Sequence, residues 1–168
     1  VLEQRVLHHG DALEPGELAS LHAHAGRLRV ATGDSAGALR SLRRAVSLMP
    51  PDRPDPDALL ALAKLTEESG RTDEAQELYA RLARRVGGLA AATHWVKVGA
   101  LARGRGDQEA AANALTEARR LDPQRKDVAR ALMEVEMARG NNSAAVVALM
   151  ELLSREEDPA RQASMHLS

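Results

Sequence analysis

The sequence predicts an all-α protein. Three observations carry that prediction: the residues available for a core, the placement of glycine and proline, and a pattern that recurs four times. The 168 residues suffice for one domain or a short repeat array with a real core. Apolar residues make up 44% and charged residues 28%, a globular rather than a disordered composition. There is no Phe, one Tyr (Tyr79) and one Trp (Trp95). A core drawn from Ala, Leu, Val and Met suits helices that approach closely, and Ala and Leu are strong helix formers.

The recurring pattern is clearest in "GDQEAAANALTEARRLDP", residues 106–123. Counted from Gly106, Ala111 stands at plus five, Leu115 at plus nine, Ala118 at plus twelve and Pro123 at plus seventeen. From Gly33 the same offsets give Ala38, Leu42, Ala45 and Pro50, and from Gly70 they give Ala75, Tyr79, Leu82 and Gly87. From Gly140 they give Ala145, Leu149, Leu152 and Glu157, with Pro159 two residues on. The four glycines are 37, 36 and 34 residues apart. Each offset has a physical reason. Glycine ends one helix at little left-handed cost. Asp34, Thr72, Asp107 and Asn141/Asn142 then supply caps for the next. The alanine sits where two helices cross, plus nine and plus twelve face the core, and Pro or Gly stops the helix.

Upstream of each glycine lies a second periodic segment: His22, Ala25, Gly26, Arg29; Leu59, Leu62, Ala63, Thr66; Trp95, Val98, Gly99, Ala102; and Ala129, Leu132, Met133, Glu136. With its W-x2-L-G-like third copy and a period near 34, the chain resembles the tetratricopeptide repeat family. The resemblance spans residues 17–157. It implies a right-handed superhelical solenoid of antiparallel helix pairs, about four repeats with partial flanking helices. The expected organisation is the end of a preceding repeat or cap at 1–16, repeats at 17–50, 57–87, 88–123 and 124–157, a Pro-rich junction at 51–56, and the start of a further helix at 158–168. Cut inside a repeat at both ends and beginning at Val1, the chain reads as a piece of a longer array. Two junctions are long: "MPPDRPDPD" (49–57), with four of the seven prolines, and "RVGGLAAAT" (85–93). Both read as looped insertions that leave the stacking intact, the alternative being a hinge or a break in superhelical pitch.

Composition excludes several function classes. Net charge is −1, so no global field favours nucleic acid or an anionic membrane. No run of about eighteen apolar residues is present to span a bilayer. Without Cys there is no disulfide, thiol catalysis or Cys-ligated zinc, and the compartment stays open. Only Lys64, Lys97 and Lys126 of the 23 basic residues are lysine, which with the alanine content points to a GC-rich bacterial genome. Six histidines raise the question of metal, but no pair has the i, i+4 spacing of a helical chelate, so no metal site and no cofactor are expected. The pairs Arg43-Arg44, Arg84-Arg85 and Arg119-Arg120, with Arg155, lie late in the second helices, where they complement the helix dipole as solvated charges. Without interleaved aromatics they do not read as a nucleic-acid surface. No G-x-S-x-G, no P-loop and no thiol is present, so no catalysis is expected.

What the resemblance implies instead is a groove formed by the first helices, which in this family bind peptide segments of other proteins. The candidate groove residues are Arg27, Val30, Leu60, Lys64, Glu67, Val96, Lys97, Arg103, Arg130 and Glu134, with Ala23 beside them. Arg27, Lys64, Lys97 and Arg130 place one cation per repeat on that side, which favours an acidic segment or a C-terminal carboxylate. The clamp that some family members use for chaperone C-termini is rejected, because Arg27 and Ala61 stand where it needs amides. The expected function is a scaffold or adaptor in a bacterial multiprotein assembly of the pilus, polysaccharide-export or secretion type, with no nucleic-acid partner and no membrane insertion. The alternatives are a regulatory domain of a larger enzyme or signalling protein, and self-association through exposed solenoid ends.

Overall fold

The computed structural model describes residues 14–50 and 55–165, with side chains as far as residue 154. The expectations for residues 1–13, 51–54 and 166–168 lie outside the described residues. Within them the chain forms eight α-helices and no strand: α1 (Pro15–Ala31), α2 (Ser35–Leu48), α3 (Pro56–Glu68), α4 (Thr72–Val86), α5 (Gly88–Gly104), α6 (Gln108–Leu121), α7 (Lys126–Ala138) and α8 (Asn142–Met165). They pack as four successive pairs, α1 on α2, α3 on α4, α5 on α6 and α7 on α8. The chain divides into two compact units, Val1–Val86 and Gly87–Ser168, each holding two pairs. In unit 1, α3 also packs on α2 and touches α1; in unit 2, α7 packs on α6.

The four turns within the pairs are built alike. Gly33, Gly70, Gly106 and Gly140 all take φ between 73° and 80°, the left-handed region that glycine enters without penalty. The residue after each glycine donates its backbone N–H to the carbonyl five positions back: Asp34 to Arg29, Arg71 to Thr66, Asp107 to Ala102 and Asn141 to Glu136, at 2.8–3.1 Å. That bond closes the first helix in a Schellman turn. The same residue caps the second helix where its side chain allows. Asp34 accepts from the Gly37 N–H at 2.8 Å, Asp107 from Ala110 at 2.9 Å and Asn141 from Ala144 at 3.4 Å. In the second repeat this place belongs to Arg71, which cannot accept, and Thr72, expected as a cap, lies inside α4 with its hydroxyl donating to Gly70 O.

The core follows the repeat. Ala38, Ala75, Ala111 and Ala145 are buried at plus five. At plus nine and plus twelve, Leu42, Ala45, Tyr79, Leu82, Leu115 and Ala118 are also buried. The fourth copy departs, with Leu149 at 42% exposure and Leu152 half-buried. Gly26 and Gly99 are sites of close approach: a Cβ on Gly26 would lie 2.6 Å from Leu42 Cγ, and one on Gly99 2.9 Å from Leu115 Cγ. The last position of the upstream set is polar in three copies, and two of these are matched locally. Arg29 donates to Ser41 Oγ at 2.6 Å and to Gly37 O at 3.1 Å, while buried Glu136 pairs with Arg139 at 3.0 Å.

Two expectations about chain breaks differ from the structure. "RVGGLAAAT" holds no looped insertion: Gly87 and Gly88 take positive φ, and α5 begins at Gly88 itself, because an alanine run after a glycine turn is a good helix start. No new helix begins after Glu157; α8 continues to Met165 with Pro159 inside it, although the ring forfeits one backbone bond there.

Candidate functional site

In unit 1 the first helices α1 and α3 leave a groove of about 260 Å³ between them. Val30 lines it from α1, and Asp57, Leu60, Ala61, Lys64, Leu65 and Glu68 line it from α3. The spacing 57, 60/61, 64, 68 puts those α3 residues on one helical face, as steps of three and four must. Asp55 and Pro56 set where that face begins: the Asp55 carboxylate accepts from the Asp57 N–H at 2.9 Å, and Pro56 occupies the first helical position. Leu65 is buried at the base, Leu60 and Ala61 are half-buried, and Val30 is 43% exposed. Asp57, Lys64 and Glu68 are exposed, and among the described residues none of the three holds a side-chain ion pair. The groove is thus apolar along its length and carries one cation and two carboxylates.

Three of the sequence-predicted residues, Val30, Leu60 and Lys64, are brought together here. Others are placed elsewhere. Ala23, expected on the exposed face, is buried at 1%. The Glu67 carboxylate turns to the neighbouring helix and accepts from the Tyr79 hydroxyl at 2.8 Å. Burial and that hydrogen bond both push the Tyr79 hydroxyl pKa above its ordinary value. Arg27 reaches Asp55 at 3.5 Å. Val96 packs against the unit 2 core of Ala102, Leu115, Val128 and Leu132. Lys97 and Arg130 are exposed. In unit 1, therefore, the expected cations do not form a basic strip: Arg27 is paired and Lys64 shares its groove with Asp57 and Glu68.

Counting back from the repeat glycines identifies the matching surface in unit 2. Val30 stands three before Gly33; Asp57, Leu60, Lys64 and Glu68 stand thirteen, ten, six and two before Gly70. The same offsets from Gly106 and Gly140 give Arg103, and Asp127, Arg130, Glu134 and Ala138. There Arg103 bonds Glu134 at 2.8 Å from α5 to α7. Arg125 bonds Asp127 through two contacts, at 2.6 and 3.0 Å, and its hydrogen bonds hold the Asp127 carboxyl below the usual range. Arg125 also donates to Thr93 at 3.2 Å, a second tie between α5 and α7. The predicted residues Arg103 and Glu134 are thus joined to each other rather than displayed side by side.

Late in the second helices the arginines do more than solvate. Arg43 makes a bidentate pair with Glu74 at 2.9–3.0 Å, linking α2 to α4, and Arg119 reaches Glu151 at 3.4 Å, linking α6 to α8. Sequence reasoning also missed an exposed apolar face on α8, made of Val146, Val147, Leu149, Met150 and Leu153. Among the described residues no three His, Asp or Glu are grouped to hold a metal ion, and no helix is long and apolar enough to cross a membrane.

The sequence model of the tetratricopeptide repeat family matches residues 29–92. Among solved structures, a MamA protein is similar at 22% identity and TM-score 0.65, covering 84% of this chain and 75% of that one. A second MamA structure is similar at 19% identity and TM-score 0.69, with coverage of 93% and 79%. YrrB, described as a TPR protein with an unusual peptide-binding site, is similar at 12% identity and TM-score 0.64, with coverage of 95% and 75%. At these identities the likeness is one of fold. No curated protein sequence matches the chain.

Proposed function

We propose that this chain, a tetratricopeptide repeat protein, is a protein-interaction scaffold that holds a peptide segment of a partner on the first-helix face of unit 1. The observation that carries this is the groove between α1 and α3, with its apolar lining and three exposed charges that hold no ion pair among the described residues. Its volume, about 260 Å³, lies just under the roughly 300–1,000 Å³ range of small-molecule sites, so it fits one or two side chains rather than a cofactor. Recognition is then shape and charge on a surface already formed, with no bond chemistry. YrrB, a fold neighbour, is a peptide binder by its own description, which agrees with this use of the fold. We place the partner within a bacterial multiprotein assembly of the pilus, polysaccharide-export or secretion type, on the family resemblance alone. An acidic partner, the expectation raised by the four cations, is disfavoured in unit 1 by Asp57 and Glu68 beside Lys64.

Panning a displayed peptide library on the protein tests this reading. Peptides selected by the wild type should be lost on Leu60→Glu and kept on Val147→Lys, after circular dichroism shows equal helicity in all three proteins. Selection that survives Leu60→Glu contradicts it. A second reading, self-association, is favoured by the apolar face of α8. It predicts a concentration-dependent dimer by light scattering that disappears with Val146→Lys/Met150→Lys. A monomer at all concentrations removes it.

A further inference from the structure

The two units differ in whether their own chain satisfies the charges at matched positions, and that difference specifies a ligand. In unit 2 the carboxylates Asp127 and Glu134 are met by Arg125 and Arg103. In unit 1 Asp57, at the position of Asp127, has no such partner among the described residues, and Glu68 brings a second carboxylate where unit 2 has Ala138. Between them lie Leu60 and Ala61, with Val30 opposite on α1 and Leu65 at the base. Lys64 offsets one of the two negative charges and leaves the groove net acidic.

We propose that the unit 1 groove selects a partner segment with an aliphatic anchor flanked on both sides by lysine or arginine. This rests on the scaffold reading and adds the partner's chemistry to it. The aliphatic side chain enters between Val30 and Leu60, where it removes its own surface and theirs from water. Asp57 and Glu68 are eleven residues apart on one helix, which at about 1.5 Å per residue separates them by roughly 16 Å. That span places a cation on each side of a single anchor. The pairs would be exposed, so they set selectivity more than affinity and weaken with salt.

The test uses three acetylated, amidated eleven-residue peptides in a Gly/Ser background: a central Leu with two Lys on each side, the same with Glu for Lys, and the Lys peptide with Ala for Leu. Fluorescence anisotropy against the whole chain at low salt reads their affinities. The Lys-flanked Leu peptide should bind at least about tenfold tighter than the Ala peptide, the scale of three buried carbons. It should bind about fivefold tighter than the Glu-flanked peptide, the scale of two exposed ion pairs. In Asp57→Asn/Glu68→Gln the preference for Lys over Glu should vanish while the preference for Leu over Ala stays. A Lys preference unchanged in that variant, or a Glu preference in the wild type, overturns the charge inference and leaves the groove reading standing. Failure of all three peptides to bind, or binding indifferent to both Leu60→Glu and the milder Val30→Ser, overturns the groove reading as well.

Discussion

The slot between α1 and α3 and its counterpart between α5 and α7 stand on the same scaffold and differ in what fills them. Their glycine turns have the same φ and the same closing hydrogen bond, and alanine crosses leucine at the same offsets. Yet in unit 1 the matched surface positions are Val30, Leu60 and Lys64, and in unit 2 they are Arg103, Arg130 and Glu134. Where unit 1 is open, unit 2 is crossed by the Arg103–Glu134 pair. The repeat fixes the buried positions because packing there tolerates little change. The outward positions are released from that constraint, and this is where two copies of one structure can acquire different partners.

The strongest way to break this comparison is to show that the shared scaffold is not shared. Leu42→Ala and Leu115→Ala should each cost about 2–5 kcal/mol, since both remove a buried leucine from equivalent crossings. Leu149→Ala, at the same offset but 42% exposed, should cost well under that, about 1 kcal/mol or less. Urea unfolding followed by circular dichroism reads all three, and equal losses at Leu42 and Leu149 would refute the burial pattern. Gly26→Ala is next, at about 1–3 kcal/mol, because the new methyl meets the body of a fully buried leucine. Gly99→Ala should cost less, since its contact is longer and alanine regains roughly 1 kcal/mol of helix propensity.

Smaller in stability but sharper for function is the exchange of surfaces. Arg103→Val/Glu134→Lys removes an exposed ion pair worth about 0–1 kcal/mol and should open a second peptide site in unit 2. A binding stoichiometry that stays at one by calorimetry would show that the pair is not what closes it. The smallest effect is a pH dependence that His22 gives to unit 1. Burial, helped by the nearby Arg44 charge, lowers the pKa of His22, whose counterpart in unit 2 is Trp95 or Ala129. A lowered pKa favours the neutral folded form, so the stability it supplies is complete above about pH 6.5 and is lost as pH falls below it. His22→Gln should therefore flatten the decline in unfolding midpoint between pH 7.5 and 5.5. An unchanged slope contradicts this.

How much of this was legible follows the same division. The four turns and the core could be read because glycine, capping side chain, alanine and leucine recur at fixed offsets, each with a physical cause. Leu60 and Lys64 were legible as one face of α3, with Val30 on α1, but the sequence reading put Glu67 rather than Glu68 in the groove: one residue turns a side chain by 100°, which sends Glu67 to Tyr79 and Glu68 to the groove. Ala23 shares its offset with Leu60 and is buried where Leu60 is half-buried, so the offset alone does not fix exposure. The pairing of Arg103 with Glu134, and of Arg125 with Asp127 and Thr93, lay beyond the sequence, since long side chains choose partners only once the helices are docked. The second junction was misread because two glycines resemble a loop, whereas here they take positive φ at the very start of a helix.

The most direct test of the central contrast is an amide chemical-shift map of the whole chain titrated with the Lys-flanked Leu peptide. The account predicts saturable shifts at Val30, Leu60, Ala61 and Leu65, with Ala131 and Val135 at the matched positions of unit 2 unmoved. Shifts of equal size in both units, or shifts confined to α5 and α7, would contradict it.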